Sequence, residues 1–325
     1  MSAAAQEPSA HPMSHRVELT PPDITPYRKG NTGIDYVTSF KAPAPGPHVM
    51  VNSLIHGNEL CGAIALDFLF RHEIRPKRGT LTLSFANVAA YLSFDAKNPT
   101  ASRFLEEDMN RVWSPDKLGG TRDSLELRRA RALCPAVEEV DYLLDIHSMQ
   151  RLSAPLTLAG MTQKGRKLGR AIGVPEYVVS DEGHAAGVRL RDYGAFSDEN
   201  SPKTAALVEC GQHWLAGTAD VAVETSLRFL TCLDVVERDA IEPHLKSPPP
   251  PQTFIEVTHA VTIAREPFVF TGEFQGLEVI DKAGTTIAHD GDQEVRTPYD
   301  RCVLVMPSQR LSKGLTAVRL GRFVQ

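Results

Sequence analysis

The sequence predicts an α/β sheet with helices on both faces, followed by a small C-terminal β domain. Between about residues 45 and 235, apolar strand-like runs alternate with segments of helical periodicity, which is the pattern of an α/β sheet. The segment Ser247-Pro248-Pro249-Pro250-Pro251 predicts a stiff linker and a domain boundary. Residues 252–325 contain short strand-like runs separated by Gly and Pro turns.

The first predicted unit is a strand that leads into a helix. The run HVMVNSLI (48–55) is almost entirely apolar, as in strands buried on both faces. Residues 59–73 follow with helical periodicity, so Gly57 and Asn58 lie at a sharp turn between the strand and the helix. The later strands are predicted at 80–87, 142–148, 155–160, 177–180 and 204–210, and the later helices at 124–140, with a kink or break at Pro135, 164–173 and about 218–234.

Composition narrows the class of protein. The 325 residues are 42% apolar and 23% charged, which supplies a sizeable core and excludes global disorder. A net charge of −5 argues against a nucleic-acid partner. Five cysteines without a CxxC pair, no signal peptide and no membrane-spanning run predict a cytoplasmic protein with no membrane partner.

The organisation along the chain is predicted in three parts. Residues 1–30 form an N-terminal arm, residues 31–246 the α/β domain and residues 252–325 the C-terminal β domain. The arm is rich in Ala, Pro, Ser and Thr, and we expect it to settle against the domain near its end. The sequence leaves open whether the chain forms a homo-oligomer.

Polar residues follow three of the predicted strands at the ends where open α/β sheets gather functional groups. His56 and Glu59 lie three residues apart on one turn, and His147 and Glu209 end two other strands. Two imidazoles and one carboxylate are the ligands of a catalytic zinc with one open position. The motif His-x-x-Glu alone is also common by chance. Because Glu209 ends an apolar strand, we expect burial to raise its pKa.

Four segments occur together in a distinctive order. They are HGNE (56–59), SRFLEEDMNR (102–111), DIH (145–147) and VECG (208–211). Together they resemble the succinylglutamate desuccinylase/aspartoacylase family of zinc amidohydrolases, which is related to the zinc carboxypeptidases. The resemblance spans about residues 45–235 and implies a zinc-carboxypeptidase-like mixed sheet.

The resemblance also implies the roles of individual residues. It implies that His56, Glu59 and His147 bind one Zn²⁺ per chain and that Glu209 is the general base. It further implies that Asn110 and Arg111 hold a carboxylate of the substrate, that Arg103 polarises the scissile carbonyl, and that Tyr299 contacts the substrate.

The chain departs from the family pattern near the expected general base. Aspartoacylases place an arginine about ten residues before that glutamate to bind the α-carboxylate of the substrate. Here the position holds Glu199, and the nearest upstream arginines are Arg189 and Arg191. This difference weakens the implication that N-acetylaspartate itself is the substrate.

Two further positions follow from the residues themselves. Asp145 lies two residues before His147 and therefore on the same face of the strand. It is expected to accept the second N–H of that imidazole, with a buried salt bridge as the alternative. His213 and Trp214 either line the pocket or serve in packing.

These observations predict a zinc-dependent amidohydrolase that removes an acyl group from an N-acyl amino acid or a similar small amide. The partner is therefore a small-molecule substrate. One alternative is a metallocarboxypeptidase that acts on short peptides, although a C-terminal β domain would narrow its site. The other is a non-catalytic zinc- or ligand-binding protein on the same scaffold.

Overall fold

A computed structural model of the chain describes residues 16–246 and 248–324. Its strands are β1 (Val37–Lys41), β2 (Ala44–Ser53), β3 (Arg78–Phe85), β4 (Tyr142–Met149), β5 (Leu156–Leu158), β6 (Tyr177–Ser180), β7 (Thr204–Gln212), β8 (Thr253–Thr262), β9 (Phe268–Phe270), β10 (Glu278–Ile280), β11 (Thr286–Asp290), β12 (Gln293–Arg296), β13 (Cys302–Val305) and β14 (Thr316–Val324). Its α-helices are α1 (Leu60–Arg71), α2 (Val88–Leu92), α3 (Pro115–Gly119), α4 (Leu125–Glu138), α5 (Gln163–Ile172), α6 (Gly217–Cys232) and α7 (Arg238–Ile241). Within the described ranges, no helix combines the length and the apolar character needed to cross a membrane.

The strands form a large mixed sheet and a small antiparallel one. The large sheet has the order β1-β3-β2-β4-β7-β5-β6-β8-β14-β13-β10, and the small sheet has the order β12-β11-β9. The strands β3, β2, β4 and β7 are neighbours and run parallel to one another. The carboxyl ends of β2, β4 and β7 therefore meet at one edge of the sheet, where parallel α/β folds place their functional residues.

Alternate side chains of β2 pack into two different hydrophobic cores, one on each face of the large sheet. Each core also contains helix residues, so helices cover both faces of the sheet. Val49 and Val51 pack in the core formed with α1, α5 and α6. Met50 points to the opposite face and packs in the core formed with α4. Because successive strand residues face opposite sides, the unbroken apolar run is explained by burial on both faces. The predicted α/β sheet with helices on both faces is confirmed.

Of the kink or break predicted at Pro135, the break does not occur. Helix α4 continues through Pro135 to Glu138, without the predicted break. A proline inside a helix removes one N–H donor, but Pro135 lies in the last turn, where little of the helix remains to be disrupted. Val137 is buried in the core beyond it and holds this turn against the sheet.

The C-terminal strands continue the large sheet. Strand β8 pairs in parallel with β6, and β14 pairs antiparallel with β8. Strands β9, β11 and β12 form a small separate antiparallel sheet within the segment predicted as a C-terminal β domain. The first residues of the chain and Ser247 of the proposed linker lie outside the described residues. From residue 16 onward the N-terminal arm contacts the domain, with Leu19 and Ile24 in its core.

The turn after β2 requires a glycine because other backbone segments pass close to it. A Cβ atom on Gly57 would lie 2.3 Å from the carbonyl carbon of Ala90 and 2.5 Å from the carbonyl oxygen of Ser102. The Gly57 N–H donates to the carbonyl oxygen of Arg103 at 3.1 Å. The HGNE turn is therefore held against the loop that carries Arg103, and glycine is needed for space.

The variant Gly57→Ala should destabilise the protein, because its methyl group would overlap backbone atoms that cannot move aside like flexible side chains. Overpacking of this kind lowers the free energy of unfolding by about 1–3 kcal/mol. The matched control is Gly217→Ala, since a Cβ there meets nothing within 4 Å and alanine favours the helix. Urea unfolding measures both, and equal stability of the two variants would contradict the steric explanation.

Candidate active site

The predicted site residues meet at the carboxyl edge of the sheet. His56 follows the end of β2, and Glu59 immediately precedes the first residue of α1. His147 on β4 is the register partner of Glu209 on β7. Strand pairing thus brings together residues that are separated by more than sixty positions in the sequence.

His56, Glu59 and His147 form a buried group that could hold a metal ion, here called the ligand cluster. Their ligand atoms all lie within 4.8 Å of one another. Nδ1 of His56 lies 2.8 Å from Oε1 of Glu59, and Nδ1 of His147 lies 2.9 Å from Oε2. Burial raises the pKa of Glu59, but both imidazoles lower it, and the result lies well below its ordinary value. Two nitrogen donors and an ionised carboxylate form a donor set that suits a divalent cation.

The far side of each imidazole in the ligand cluster contacts an aspartate. Nε2 of His147 lies 2.8 Å from Oδ2 of Asp145, the contact expected from their spacing. Asn52 donates to the other Asp145 oxygen at 2.8 Å. Nε2 of His56 lies 2.9 Å from Oδ1 of Asp108. The side chains that orient ligand imidazoles are usually of this type, and both Nδ1 atoms are left facing Glu59.

The role of Asp108 beside His56 was not predicted from the sequence. The residue opens the Asp-x-Asn-Arg segment, so a signal was present, but its distance of 52 positions from His56 gave no reason to pair them. Burial raises the pKa of Asp108, while His56 and Arg103 lower it, and the result lies well below its ordinary value. Asp108 is therefore an anion that contacts both His56 of the ligand cluster and Arg103.

Glu209 is buried beside the ligand cluster, and 6% of its surface is exposed. Its Oε2 atom has no hydrogen-bond partner among the described residues. Burial raises the pKa of Glu209 to about 8; His147 opposes that rise, and Glu59 adds to it. The direction is the one expected from the sequence. A carboxyl group in this state can exchange protons near neutral pH.

Arg103 lies between two of the acidic groups. Its guanidinium is 3.5 Å from Oε1 of Glu59 and 3.2 Å from Oδ2 of Asp108. Its Nε atom is buried without a hydrogen-bond partner among the described residues. The structure therefore places a cation next to the ligand cluster, where the sequence predicted one.

Asn110 and Arg111 both line the cavity described below, but their side chains are partly engaged. Oδ1 of Asn110 accepts a hydrogen bond from the Leu190 N–H at 3.0 Å, so only its amide NH₂ is left for a ligand. Nη1 of Arg111 donates to the Asn110 carbonyl oxygen at 2.6 Å, and its Nη2 lies 3.9 Å from Asp108. Asn110 thus holds the backbone at Leu190. The Arg111 guanidinium keeps Nη2 as its less engaged N–H group.

A cavity of about 390 Å³ opens above these residues. Residues of the C-terminal segment, among them Met306 and Pro307, form part of its wall. The cavity is strongly basic, because it is lined by the six arginines Arg103, Arg111, Arg151, Arg189, Arg310 and Arg319. Such a lining favours anionic ligands.

Arg319 and Arg310 are cavity residues that the sequence did not predict. Arg319 lies on the last strand, and Arg310 lies on the loop before it. Neither belongs to a motif, and only the pairing of β14 with β8 and β13 brings this part of the chain to the site. No local signal in the sequence could have identified them.

The neighbouring residues His213 and Trp214 have different roles. His213 lines the cavity and is fully buried; Nδ1 lies 2.8 Å from Oγ of Ser148, and Nε2 has no hydrogen-bond partner among the described residues. Burial lowers the pKa of His213 to about 3. Trp214 instead packs, and its Nε1 donates to the Asn58 carbonyl oxygen. His213 is thus a pocket residue and Trp214 a packing residue.

Tyr299 and Glu199 lie outside the cavity lining. The Tyr299 hydroxyl is 2.6 Å from Oγ1 of Thr258, and the ring packs beside the core of the C-terminal strands. Its expected contact with a substrate stays a prediction that no contact in the structure supports. Glu199 accepts a hydrogen bond from the Gln163 N–H at the start of α5.

The family and the fold were compared with known proteins. The family model described as the succinylglutamate desuccinylase/aspartoacylase catalytic domain matches residues 45–233, more than half of the chain. No curated protein sequence matches the chain. These findings assign the family through the catalytic domain.

Solved structures share the fold at low sequence identity. Succinylglutamate desuccinylase from Vibrio cholerae is 18% identical with a TM-score of 0.68, covering 89% of this chain and 86% of its own. A succinylglutamate desuccinylase/aspartoacylase from Rhodobacter sphaeroides is 18% identical with a TM-score of 0.65, covering 89% of both chains. A product-bound ectoine utilization protein from Ruegeria pomeroyi is 14% identical with a TM-score of 0.61, covering 90% and 92%. With its cavity, its buried ligand cluster and its matching catalytic domain, the chain belongs to the succinylglutamate desuccinylase/aspartoacylase family.

Proposed function

We propose that the protein is a zinc-dependent amidohydrolase that removes an acyl group from an N-acyl amino acid or a similar small amide. The observation that carries the proposal is the buried ligand cluster beside the unpartnered carboxyl group of Glu209, in one arginine-lined cavity. Membership of a deacylase family supports the reaction type. The cavity volume of about 390 Å³ suits a small molecule.

His56, Glu59 and His147 are the residues that would hold zinc. The fit rests on their donor types, on their burial and on the two aspartates that orient the imidazoles. When bound, zinc acts as a Lewis acid and makes water a nucleophile at neutral pH. The protein residues then position the substrate and transfer protons.

Glu209 is assigned the proton transfers. As a carboxylate it takes a proton from the attacking water, and as a carboxylic acid it returns that proton to the leaving amine nitrogen. Its burial and the resulting rise of its pKa toward about 8 favour both steps, because neither form is strongly preferred near neutral pH. The unpartnered Oε2 atom supports this assignment, since no other described residue occupies it.

Arg103 is assigned to the carbonyl oxygen of the scissile amide. Negative charge develops on that oxygen as the carbonyl carbon becomes tetrahedral, and a fixed guanidinium stabilises it. Glu59 and Asp108 hold the Arg103 side chain in place. Arg111 is assigned to a carboxylate of the substrate, for which its planar guanidinium is suited.

The two alternatives are less well supported. A carboxypeptidase needs room for a peptide, whereas residues Met306 to Arg310 of the C-terminal segment form part of the cavity wall here. A non-catalytic binding protein has no need of an unpartnered acid beside the ligand cluster, and Glu209 is such a group. Both observations favour hydrolysis of a small amide.

The variant His147→Ala should lose bound zinc, because it removes one of three ligands. Elemental analysis of the purified protein should give about one zinc per chain for the wild type and far less for the variant. His72→Ala is the control, since that exposed imidazole lies outside the ligand cluster. Circular dichroism checks that the variant is folded, and full zinc occupancy in folded His147→Ala would exclude the ligand assignment.

The variant Glu209→Gln should keep zinc and lose turnover, because the amide has the shape of the acid but cannot transfer the proton. A positioned acid–base group is worth about 10²–10⁴-fold in rate. The measurement is kcat on the best substrate from a panel of N-acyl amino acids, with zinc content determined in parallel. Near-normal turnover would mean that another residue is the base.

The variants Arg103→Ala and Arg111→Lys should change different kinetic constants. Arg103→Ala should lower kcat more than it raises KM, because the charge that it stabilises develops only in the transition state. Arg111→Lys should mainly raise KM, by about tenfold or more, because lysine keeps the charge and loses the planar fit. Steady-state kinetics on one carboxylate-bearing substrate separates the two, and identical profiles would contradict the separate roles.

A further inference from the structure

Arg319 places a guanidinium from the last strand at the catalytic cavity. It lies on β14, where it pairs with Ala260 of β8 and with Val305 of β13. Its side chain is 7% exposed and lines the cavity. Nη2 donates to the Gly183 carbonyl oxygen at 3.2 Å, and Nε lies 3.3 Å from Oδ2 of Asp181. Its Nη1 makes no hydrogen bond to the part of the chain that the structure describes.

The acidic groups around Arg319 are already shared with other arginines. Asp181 accepts hydrogen bonds from Arg189 at both oxygens, at 2.9 and 3.0 Å. Asp192 accepts from Nε of Arg189 at 2.5 Å and from Arg191 at 2.6 Å. Three buried guanidiniums therefore share these two carboxylates, which do not neutralise all three, and the further acid that acts on Arg319 is Glu209 of the same cavity.

Arg111 faces the same side and is also short of a counterion. Its one carboxylate neighbour among the described residues, Asp108, is 3.9 Å away and lies closer to His56 and Arg103. Burial lowers the pKa of Arg111 to about 10; Asp108 opposes this, while the positive charges of Arg103, Arg189 and Arg319 act in the same direction as burial. An anion bound beside Arg111 would relieve this repulsion.

The segment between Gly183 and Val188 connects the two arginines. The carbonyl oxygen of Gly183 accepts a hydrogen bond from Arg319. At Gly187 the segment passes close to Arg111, since a Cβ there would lie 2.3 Å from the Arg111 carbonyl oxygen. His184 lies on this segment and lines the cavity. Its Nδ1 accepts a hydrogen bond from the Ala186 N–H, so a neutral imidazole carries its proton on Nε2 and can donate it.

His184 does not supply a further charge there. Burial lowers its pKa to about 3, and the positive charges of Arg111, Arg319 and Arg189 act in the same direction. The wall therefore consists of two incompletely compensated guanidiniums and a neutral donor. This is the chemistry of a carboxylate site, since arginine binds carboxylates through paired N–H groups.

We propose that Arg319 is a specificity-determining residue that binds the substrate carboxylate together with Arg111. The inference rests on the proposed function and names the group that the substrate must carry. It also explains how Glu199 can occupy the position where aspartoacylases place a carboxylate-binding arginine. Here that second arginine comes from the C-terminal strand, while Arg189 and Arg191 are paired with Asp181 and Asp192. The C-terminal segment thus contributes to substrate recognition as well as to the cavity wall.

Arg310 provides a matched control. It lines the same cavity, but its guanidinium lies over the Phe104 ring, 5.6 Å from the centroid, and its positive neighbour is Arg103. Loss of Arg310 removes one positive charge from the cavity, as loss of Arg319 does, without removing the proposed carboxylate contact. A general electrostatic effect can therefore be separated from a specific one.

The test compares N-acetyl amino acids with their primary amides, which differ only at the carboxylate. The wild type should prefer the carboxylate member of each pair. Arg319→Gln should lower kcat/KM for the carboxylate by about ten- to a hundredfold and change the amide little, so the preference collapses. Arg310→Gln should change both members by the same factor. Equal losses on both members in Arg319→Gln, or a collapse only in Arg310→Gln, would overturn the proposal.

Equilibrium binding makes the result independent of turnover and of a folding defect. Calorimetry in the Glu209→Gln background, which should bind these compounds without hydrolysing them, should show tighter binding of the N-acetyl amino acid than of its amide, and Arg319→Lys, which keeps the charge next to Asp181, should restore part of the preference lost in Arg319→Gln. If the wild type hydrolyses none of the panel but shows this Arg319-dependent preference, the proposed function fails and the carboxylate site stands. If the wild type binds acid and amide equally, the carboxylate site fails.

Discussion

The ionised carboxylate of Glu59, buried in front of α1, is the constraint on which the site depends. A buried charge must be compensated by neighbouring groups. Here His56, His147 and Arg103 surround it at 2.8 to 3.5 Å. All three of those groups are themselves held by other acids, since Asp145 contacts His147 and Asp108 contacts both His56 and Arg103. A divalent cation within the cluster would balance this excess of carboxylates, and this is the physical reason for regarding it as a metal site.

The basic cavity is the electrostatic counterpart of that acidic cluster. The acids lie at the sheet edge, while arginines line the opening on loops and on β14. A molecule with a carboxylate at one end and an amide at the other would be oriented by this separation, because its anionic end is attracted to the arginines and repelled by the ionised carboxylates of Glu59 and Asp108. Orientation of this kind lowers the activation free energy by fixing the reacting group beside the nucleophile.

The sequence was most informative where local patterns determine structure. The apolar runs predicted β2, β4 and β7, and the residues following them predicted the ligand cluster, because parallel strands bring their carboxyl ends together. Asp145 was found for the same reason, through the two-residue period of its strand. Pro135 does not break its helix, because packing of Val137 holds the last turn. Asp108, His184 and Arg319 reach the site through long-range pairings that no local pattern records.

The position of Arg319 illustrates how recognition can move within a fold while the chemistry stays in place. The ligand cluster depends on strand ends and on the HGNE turn, where neighbouring backbone atoms leave no space for a side chain at Gly57. A carboxylate, in contrast, requires only a guanidinium at the right point of the cavity wall, whichever element supplies it. Because β8 extends the large sheet from β6 and β14 pairs with β8, an inward residue of β14 reaches that wall as directly as a residue of the catalytic domain. The pairing of β6 with β8 therefore carries a consequence for specificity: it sets the distance between the arginine of the last strand and Arg111.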